Sequence, residues 1–317
     1  MAHASAPTHR SANPQSTRSV NFPFSVAVRH AMSQPRSFQQ PLVAVFGQPV
    51  AENPTQWMIE RAFAHHELDW RYLTIEVAPE HLADAIRGMR AMGFRGANCT
   101  IPHKVAVIDH LDRLSEAAAL IGAVNCIVRH GDQLLGENTD GKGFVESLSA
   151  IVEPDGRRVA ILGAGGAARA IAVEVALAGA SEITIVNRNV ERGQALAARL
   201  REKTPVAAEF AAWQGDYRVP GDVDVLVQAT SIGLYPDVDA RVPIDTDSLR
   251  PDLVVADVIP NPPATRLVRD ARAAGCRVLD GLGMLVNQGV IGFRLWTDID
   301  PDPAVMRGAL EEIFGTD

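Results

Sequence analysis

A glycine-rich loop between an apolar segment and a helical one is the first feature of this chain that could do chemistry. It runs Gly163-Ala164-Gly165-Gly166-Ala167-Ala168-Arg169 and follows the apolar residues 159–162. Glycines there permit a tight turn and close approach of the backbone to a pyrophosphate, and the helix N-terminus offers unpaired N–H groups. We therefore expect Gly163, Ala164, Gly165, Gly166 and Ala167 to bind a dinucleotide. The plainer alternative is a glycine-rich strand-to-helix turn.

The end of the next predicted strand indicates which dinucleotide this is. NAD enzymes usually place an acidic residue about 20 residues beyond the first glycine, on the ribose 2′-hydroxyl. Here Asn187 lies 24 residues after Gly163, and Arg188, Asn189 and Arg192 follow it. Asn187 can bond the ribose, and planar guanidinium groups suit a 2′-phosphate. The pattern predicts NADP(H) as cofactor, the alternative being solvated arginines.

Polar residues also collect in three clusters at the ends of other predicted strands. A hydrophobic core does not require polar side chains at such positions, so these clusters are candidates for a second functional site. The clusters are Gly96-Ala97-Asn98-Cys99-Thr100-Ile101-Pro102-His103-Lys104, Gly122-Ala123-Val124-Asn125 and Glu137-Asn138-Thr139-Asp140-Gly141.

The composition excludes several other classes of protein. A net charge of −8 argues against general affinity for nucleic acid. Three cysteines without CxxC spacing indicate neither a disulfide framework nor a zinc site and fit a cytoplasmic location. No apolar run approaches the ~20 residues that span a membrane. The nine histidines are scattered and no Gly-x-Ser-x-Gly turn occurs, so we expect no metal and no serine hydrolase chemistry.

Residues 1–40 differ from the rest of the chain. They contain four arginines and no acidic residue, with no periodicity typical of a helix or strand. An organelle transit peptide would look similar, but we favour a disordered extension.

From Leu42 onward, short apolar strands alternate with helical stretches, which is typical of an α/β fold. The length of 317 residues suggests two domains. In the second half, strands near residues 159, 183, 225, 254 and 278 predict a parallel, doubly wound sheet of the Rossmann type. The helix after the glycine loop is expected over 168–180, and two helices close the chain, the last over Pro303 to Phe314.

The motifs, in this order, resemble the shikimate dehydrogenase family over residues 42–314. The resemblance is carried by Asn-x-Thr-x-Pro-x-Lys at 98–104, Gly-Ala-Val-Asn at 122–125, Asn-Thr-Asp-Gly at 138–141, Gly-Ala-Gly-Gly-Ala at 163–167, Asn-Arg-x-x-x-Arg at 187–192 and Asp-Gly-Leu-Gly-Met-Leu-x-x-Gln at 280–288. It implies a substrate-binding domain of residues 41–139 and 282–317, an NADP-binding Rossmann domain of residues 140–281, and a monomer or homodimer. Gly141 and Gly281, at the two crossings, are candidate hinges.

The resemblance also implies that Lys104 and Asp140 are the catalytic pair. Reduction of a ketone by hydride leaves an alkoxide that needs a proton, and the reverse reaction needs a base on the same oxygen. A lysine beside a carboxylate in a closed cleft can do both. The alternatives are a solvated lysine in the first turn of a helix and an Asp in a turn.

The substrate implied by the resemblance is a cyclic polyol carboxylate. Thr100, Asn125 and Gln288 would bond its ring hydroxyls, and the backbones of Val258 and Gly281 would meet the nicotinamide. The family opening has two serines that bind the carboxylate; here Asn53 and Thr55 take their places, with Asn53 also a candidate helix cap.

A proline, Pro260, also stands where a tyrosine commonly contacts the substrate. We therefore predict an NADP-dependent shikimate dehydrogenase. The alternatives are a paralogue that acts on quinate or an aminoshikimate-type analogue, and a non-catalytic NADP(H)-binding sensor.

Overall fold

The computed structural model describes residues 38–315. These residues form two six-stranded sheets with helices around them, so the predicted α/β architecture is confirmed. The predicted N-terminal extension lies almost entirely outside the described residues. Within residues 38–315, no helix combines the length and apolar character needed to cross a bilayer.

The first sheet is mixed and has the strand order β2-β1-β3-β5-β6-β4. Strands β1, β2 and β3 are mutually parallel, whereas β5 runs antiparallel to both β3 and β6. The strands are β1 (Leu42–Gly47), β2 (Arg71–Glu76), β3 (Gly96–Cys99), β4 (Arg113–Leu114), β5 (Cys126–His130) and β6 (Gln133–Glu137).

Helices connect and cover the strands of this sheet. Strands β5 and β6 form a hairpin around residues 131–132. The helices are α1 (Thr55–His65), α2 (Leu82–Ala91), α3 (His103–Ala106) and α4 (Glu116–Ile121).

The second sheet is entirely parallel, with the order β12-β11-β10-β7-β8-β9. Counted from β7, this is the doubly wound order 3-2-1-4-5-6, which binds dinucleotides where the order reverses, between β7 and β10. The strands are β7 (Arg158–Leu162), β8 (Glu182–Asn187), β9 (Ala207–Ala212), β10 (Val225–Gln228), β11 (Val254–Asp257) and β12 (Arg277–Leu279).

Helices flank this sheet and link it to the first one. They are α5 (Thr139–Ser149), α6 (Gly166–Leu177), α7 (Val190–Lys203), α8 (Arg266–Ala273), α9 (Gly281–Thr297) and α10 (Pro303–Phe314). Helix α5 packs against both α6 and α9, and α10 packs against α1. The C-terminal helices therefore cover the first sheet, as the resemblance implies. The division of the chain at residues 140 and 281 stays a prediction.

The predicted elements differ from the structure at β9 and at α6. The prediction omits β9, whose alanine-rich sequence has few of the branched residues typical of strands. Helix α6 covers 166–177 rather than 168–180, because it begins directly after Gly165 and the chain then turns through Gly179 at φ +91°.

Candidate functional site

Lys104 and Asp140 form an ion pair at the junction of the two sheets. Lys104 lies in α3, just after β3, and Asp140 is the second residue of α5. The Lys104 Nζ donates to the Asp140 Oδ2 at 2.6 Å. The side chains are 33% and 18% exposed, so solvent reaches the pair but does not surround it. A carboxylate in the first turn of a helix also benefits from the helix dipole.

Asn125 fixes the other oxygen of this carboxylate. Its Nδ2 donates to the Asp140 Oδ1 at 2.8 Å and to the Thr139 Oγ1 at 3.0 Å, while its Oδ1 accepts from the Thr139 N–H at 2.7 Å. Asn125 is buried, as is Thr139. Since both oxygens of Asp140 are held, the carboxylate has one orientation relative to Lys104.

A second layer of hydrogen bonds holds Asn125. The Asn98 Nδ2 donates to the Asn125 carbonyl at 3.0 Å, and the Tyr72 hydroxyl donates to the Asn98 Oδ1 at 2.6 Å. Burial raises the pKa of Tyr72 well above its ordinary value, so this phenol stays a donor. Tyr72 is absent from the sequence-based prediction because a tyrosine in a strand is typical of an ordinary core residue.

The glycine loop adjoins the ion pair across one cavity of about 540 Å³. Its lining includes Lys104 and Asp140 from one side, and Gly166, Ala167 and Val258 from the other. The structure thus brings together the two predicted catalytic residues and three predicted cofactor residues. Met284 from α9 and Arg169 from α6 also line this cavity.

The glycines of the loop fit a bound dinucleotide. Gly163 has φ +114°, and a side chain there would also press on the Ala229 carbonyl after β10. A Cβ at Gly165 or Gly166 would meet no protein atom within 4 Å, so packing of the protein does not require glycine there. Open backbone beside a helix N-terminus is what a pyrophosphate needs.

The residues after β8 have local structural roles beside their predicted cofactor role. Asn189 caps α7, since its Oδ1 accepts from the Arg192 N–H at 2.8 Å. The Asn187 Nδ2 donates to the Asn189 carbonyl at 2.8 Å. Arg188 is exposed, and Arg192 lines a small pocket next to Ala164.

Buried polar residues hold the loops that follow β10 and β11. The Gln228 Nε2 donates to the Ile232 carbonyl at 3.1 Å, and its Oε1 accepts from the Thr230 N–H at 2.6 Å. Asp257 accepts from the Ile259 N–H at 3.1 Å and from the Thr265 hydroxyl at 2.7 Å. Burial raises the pKa of Asp257 to about 6. These contacts fix the backbone of Val258 against the cavity.

None of the five predicted substrate residues is in the lining of the catalytic cavity; Asn125 reaches it only through its bond to Asp140. Thr100 follows β3, where its N–H donates to the Phe46 carbonyl at 2.9 Å. Gln288 is buried in α9, and its Nε2 donates to the Leu285 carbonyl at 3.0 Å.

Asn53 and Thr55 open α1 and are joined to each other. The Asn53 Oδ1 accepts from the Thr55 N–H at 2.9 Å, and Thr55 is buried. Asn53 lines a separate cavity of about 780 Å³ with Gln56 and Trp57. The N-cap of α1 is Pro54 rather than the expected Asn53, which accepts from the first helical N–H from one residue further out; its role toward a substrate stays a prediction.

Gly281 begins α9 directly against the backbone of Ile259, and a Cβ there would overlap the Ile259 carbonyl group. Gly141 is in a similar position against the Ala170 carbonyl of α6. Both glycines are required by close packing of backbones, an explanation that differs from the predicted freedom at a hinge.

Three protein-family models match successive parts of the chain. Residues 45–127 match the shikimate dehydrogenase substrate binding domain. Residues 147–235 match shikimate / quinate 5-dehydrogenase, and residues 281–311 match the shikimate 5'-dehydrogenase C-terminal domain.

Individual relatives match over most of their length. A shikimate dehydrogenase (NADP(+)) of Methanopyrus kandleri is 42% identical over 275 residues, 86% of this chain and 95% of the relative. The ligand-free crystal structure of 5-ketofructose reductase from a Gluconobacter strain is 53% identical, with a TM-score of 0.86 over 88% of this chain and 100% of the other. A shikimate dehydrogenase in complex with NADP+ is 36% identical, with a TM-score of 0.81 over 87% and 96%.

Proposed function

Because this chain belongs to the shikimate dehydrogenase family, we propose that it is an NADP-dependent oxidoreductase that interconverts shikimate and the ketone 3-dehydroshikimate. The observation that supports this most directly is the Lys104–Asp140 pair at 2.6 Å, in a cavity that it shares with the glycine loop. A proton donor and a hydride carrier must meet at one carbon–oxygen bond. A sensor that only binds NADP(H) would not need the proton donor.

In this proposal, Lys104 acts on the substrate oxygen. When bound, NADP(H) supplies or accepts the hydride at the carbon of the reacting group. The Lys104 ammonium then donates a proton to the alkoxide oxygen, and in the reverse direction the neutral amine accepts it. Asp140, held by Asn125, orients the Lys104 Nζ and stabilises its positive charge.

The surroundings of the loop fit NADP(H) better than NAD(H). The residue at the end of β8, where an NAD enzyme would bind the ribose hydroxyls through a carboxylate, is Asn187 rather than an acid. Arg192 instead shares its pocket with Ala164 of the glycine loop. The roles of the individual cofactor residues, a cytoplasmic location and a monomeric or dimeric state remain predictions.

A second candidate substrate is an uncharged polyhydroxy ketone of the 5-ketofructose type. Two observations favour it. The 5-ketofructose reductase is 53% identical over its full length. In addition, Asn53 and Thr55 replace the expected pair of serines. A substrate without a carboxylate would not need that pair.

Initial rates distinguish the two substrates. We would measure NADP+ reduction with shikimate and NADPH oxidation with 5-ketofructose, using quinate and NAD+ as controls. Rapid shikimate turnover with NADP+ alone supports the first proposal. Rapid reduction of 5-ketofructose with negligible shikimate turnover replaces it by the second. Absence of turnover with both, although NADPH binds, would contradict both.

A further inference from the structure

Three arginines converge on a small pocket beside the glycine loop. Arg169 comes from α6, and Arg192 and Arg199 come from α7, seven residues apart and therefore on one face of that helix. The pocket, of about 190 Å³, is completed by Ala164, Ala195 and Leu196. No carboxylate is among its lining residues, so nothing in the wall neutralises the three cations.

Two of these arginines also donate hydrogen bonds to α4, a helix that covers the first sheet. The Arg199 Nη2 donates to the Ala119 carbonyl at 3.2 Å, and the Arg169 Nη1 donates to the Ile121 carbonyl at 3.3 Å. Both carbonyls lie in the last turn of α4, where carbonyl groups lack partners inside the helix and carry partial negative charge. The two guanidinium groups thus tie the nucleotide-binding side to the end of α4.

These arginines have unused N–H donors and uncompensated positive charge that an anion would satisfy. Arg169 and Arg199 each use one N–H on α4, and a guanidinium has five. The Nε of Arg199 is buried and has no hydrogen-bond partner among the described residues. The pKa of Arg169 is lowered by burial first and then by the charges of Arg199 and Arg192. A phosphate in this pocket would relieve both the repulsion and the unpaired donor.

The end of α4 leads directly into the catalytic site. Ile121 is followed by Gly122, which ends the helix at φ +70°, and three residues later comes Asn125. Asn125 holds the Asp140 carboxylate at 2.8 Å. The Val124 N–H also donates to the Lys104 carbonyl at 2.7 Å. A group that holds the last turn of α4 therefore helps to hold both catalytic residues.

We propose that Arg169, Arg192 and Arg199 bind the 2′-phosphate of NADP(H), and that Arg199 is a positioning residue that couples this phosphate to the catalytic pair through α4. This proposal rests on the proposed NADP-dependent function. It adds Arg169 and Arg199 to the residues predicted to bind the cofactor, and it adds the coupling through α4. A dinucleotide without the phosphate would leave the arginines repelling one another and α4 less firmly held. Cofactor choice would then appear in turnover as well as in affinity.

Arg199→Gln tests the proposal, with Arg201→Gln as the matched control. Both arginines lie on α7 and both donate to a backbone carbonyl, but Arg201 donates to Ala208, in the strand next to α7 on its own side. We would measure the Kd of NADPH and of NADH by fluorescence titration, and kcat at saturating NADPH.

For Arg199→Gln we expect the Kd of NADPH to rise about tenfold and the Kd of NADH to stay unchanged. We also expect kcat at saturating NADPH to fall about fivefold or more, a size typical of coupling between sites. Arg199→Lys should recover part of the affinity and less of the turnover, because an ammonium cannot bond phosphate and carbonyl as a planar fork does. Arg201→Gln should match the wild type.

Equal losses for NADPH and NADH would overturn the assignment to the 2′-phosphate. An unchanged kcat in Arg199→Gln would overturn the coupling through α4, as would an equal fall in Arg201→Gln. If the wild-type protein does not bind NADP(H) at all, the proposed function itself fails, and the two failures are thereby distinguished.

Discussion

At the scale of single residues, the site depends on how Asp140 is held. Its Oδ2 accepts from Lys104 and its Oδ1 from Asn125, so neither oxygen is free to turn. Asn125 is in turn held through its carbonyl by Asn98. The reactivity of Lys104 therefore depends on a buried amide that need not touch the reacting atoms.

We expect Asn125→Ala to lower kcat by about a hundredfold, since small misplacements of catalytic groups have effects of that size. NADPH affinity should be unchanged because Asn125 is buried and is not in the lining of the cavity that the glycine loop faces. Steady-state kinetics and a NADPH titration check this. Asn287→Ala is the control, because Asn287 donates to Ser147 at the far end of α5. A normal kcat in Asn125→Ala would contradict the role of this amide.

Some residues of the site could be predicted from the sequence and others could not. Lys104, Asp140 and Asn125 belong to recognisable motifs, and the structure brings them together. Tyr72 and Arg199 belong to no motif. Their roles depend on partners 26 and 80 residues away, a distance along the chain that no local pattern contains. The seven-residue spacing of Arg192 and Arg199 is the one signal that a helical reading offers for the arginine pocket.

At the scale of elements, the catalytic helices are positioned by close contacts between backbones. Helix α9 begins at Gly281 against Ile259, in the loop that carries Val258. The contact leaves no room for a Cβ. The loop that carries Val258 is thus packed directly against the first residue of α9.

Gly281→Ala should therefore lower the free energy of unfolding by about 2 kcal/mol or more, since overpacking forces the backbone to shift. Urea denaturation measures the change. Gly308→Ala in α10 is the control: a Cβ there meets no atom within 4 Å, so the variant should gain about 0.5 to 1 kcal/mol from helix propensity. Equal stability of Gly281→Ala and the wild type would contradict this packing.

The strands and helices were largely predictable because their apolar periods are strong. Strand β9 was not, since the sequence Ala207–Ala212 has little β-branched character and is specified by pairing with β8. The same applies to the start of α6, which depends on the conformation of the glycine loop rather than on apolar period.

At the scale of the whole molecule, one buried carboxyl links stability to pH. Burial raises the pKa of Asp257 from an ordinary 3.8 to about 6. Between these values the folded state binds a proton that the unfolded state has lost. Protonation of Asp257 therefore contributes its full stabilisation of the folded state below pH 3.8, and this contribution is lost as the pH rises through 6.

Asp257→Asn removes this ionisation. Relative to the variant, the wild type should lose on the order of 1 to 3 kcal/mol of stability between pH 4 and pH 7. Urea midpoints of both proteins at the two pH values give the difference. The exposed Asp237 provides the control, since Asp237→Asn should follow the wild-type pH dependence. If the urea midpoints of the wild type and Asp257→Asn changed equally between the two pH values, Asp257 would not be the source of the pH-dependent stability.

The most direct test of the central claim is turnover by Lys104→Ala. If Lys104 transfers the proton in an NADP-dependent ketone reductase, kcat should fall about 10²- to 10⁴-fold. NADPH binding and the urea midpoint should stay near the wild-type values, because Lys104 is partly exposed and its Nζ bonds Asp140 rather than a group of the glycine loop. Wild-type turnover by Lys104→Ala, with whichever substrate the wild type uses, would contradict the claim.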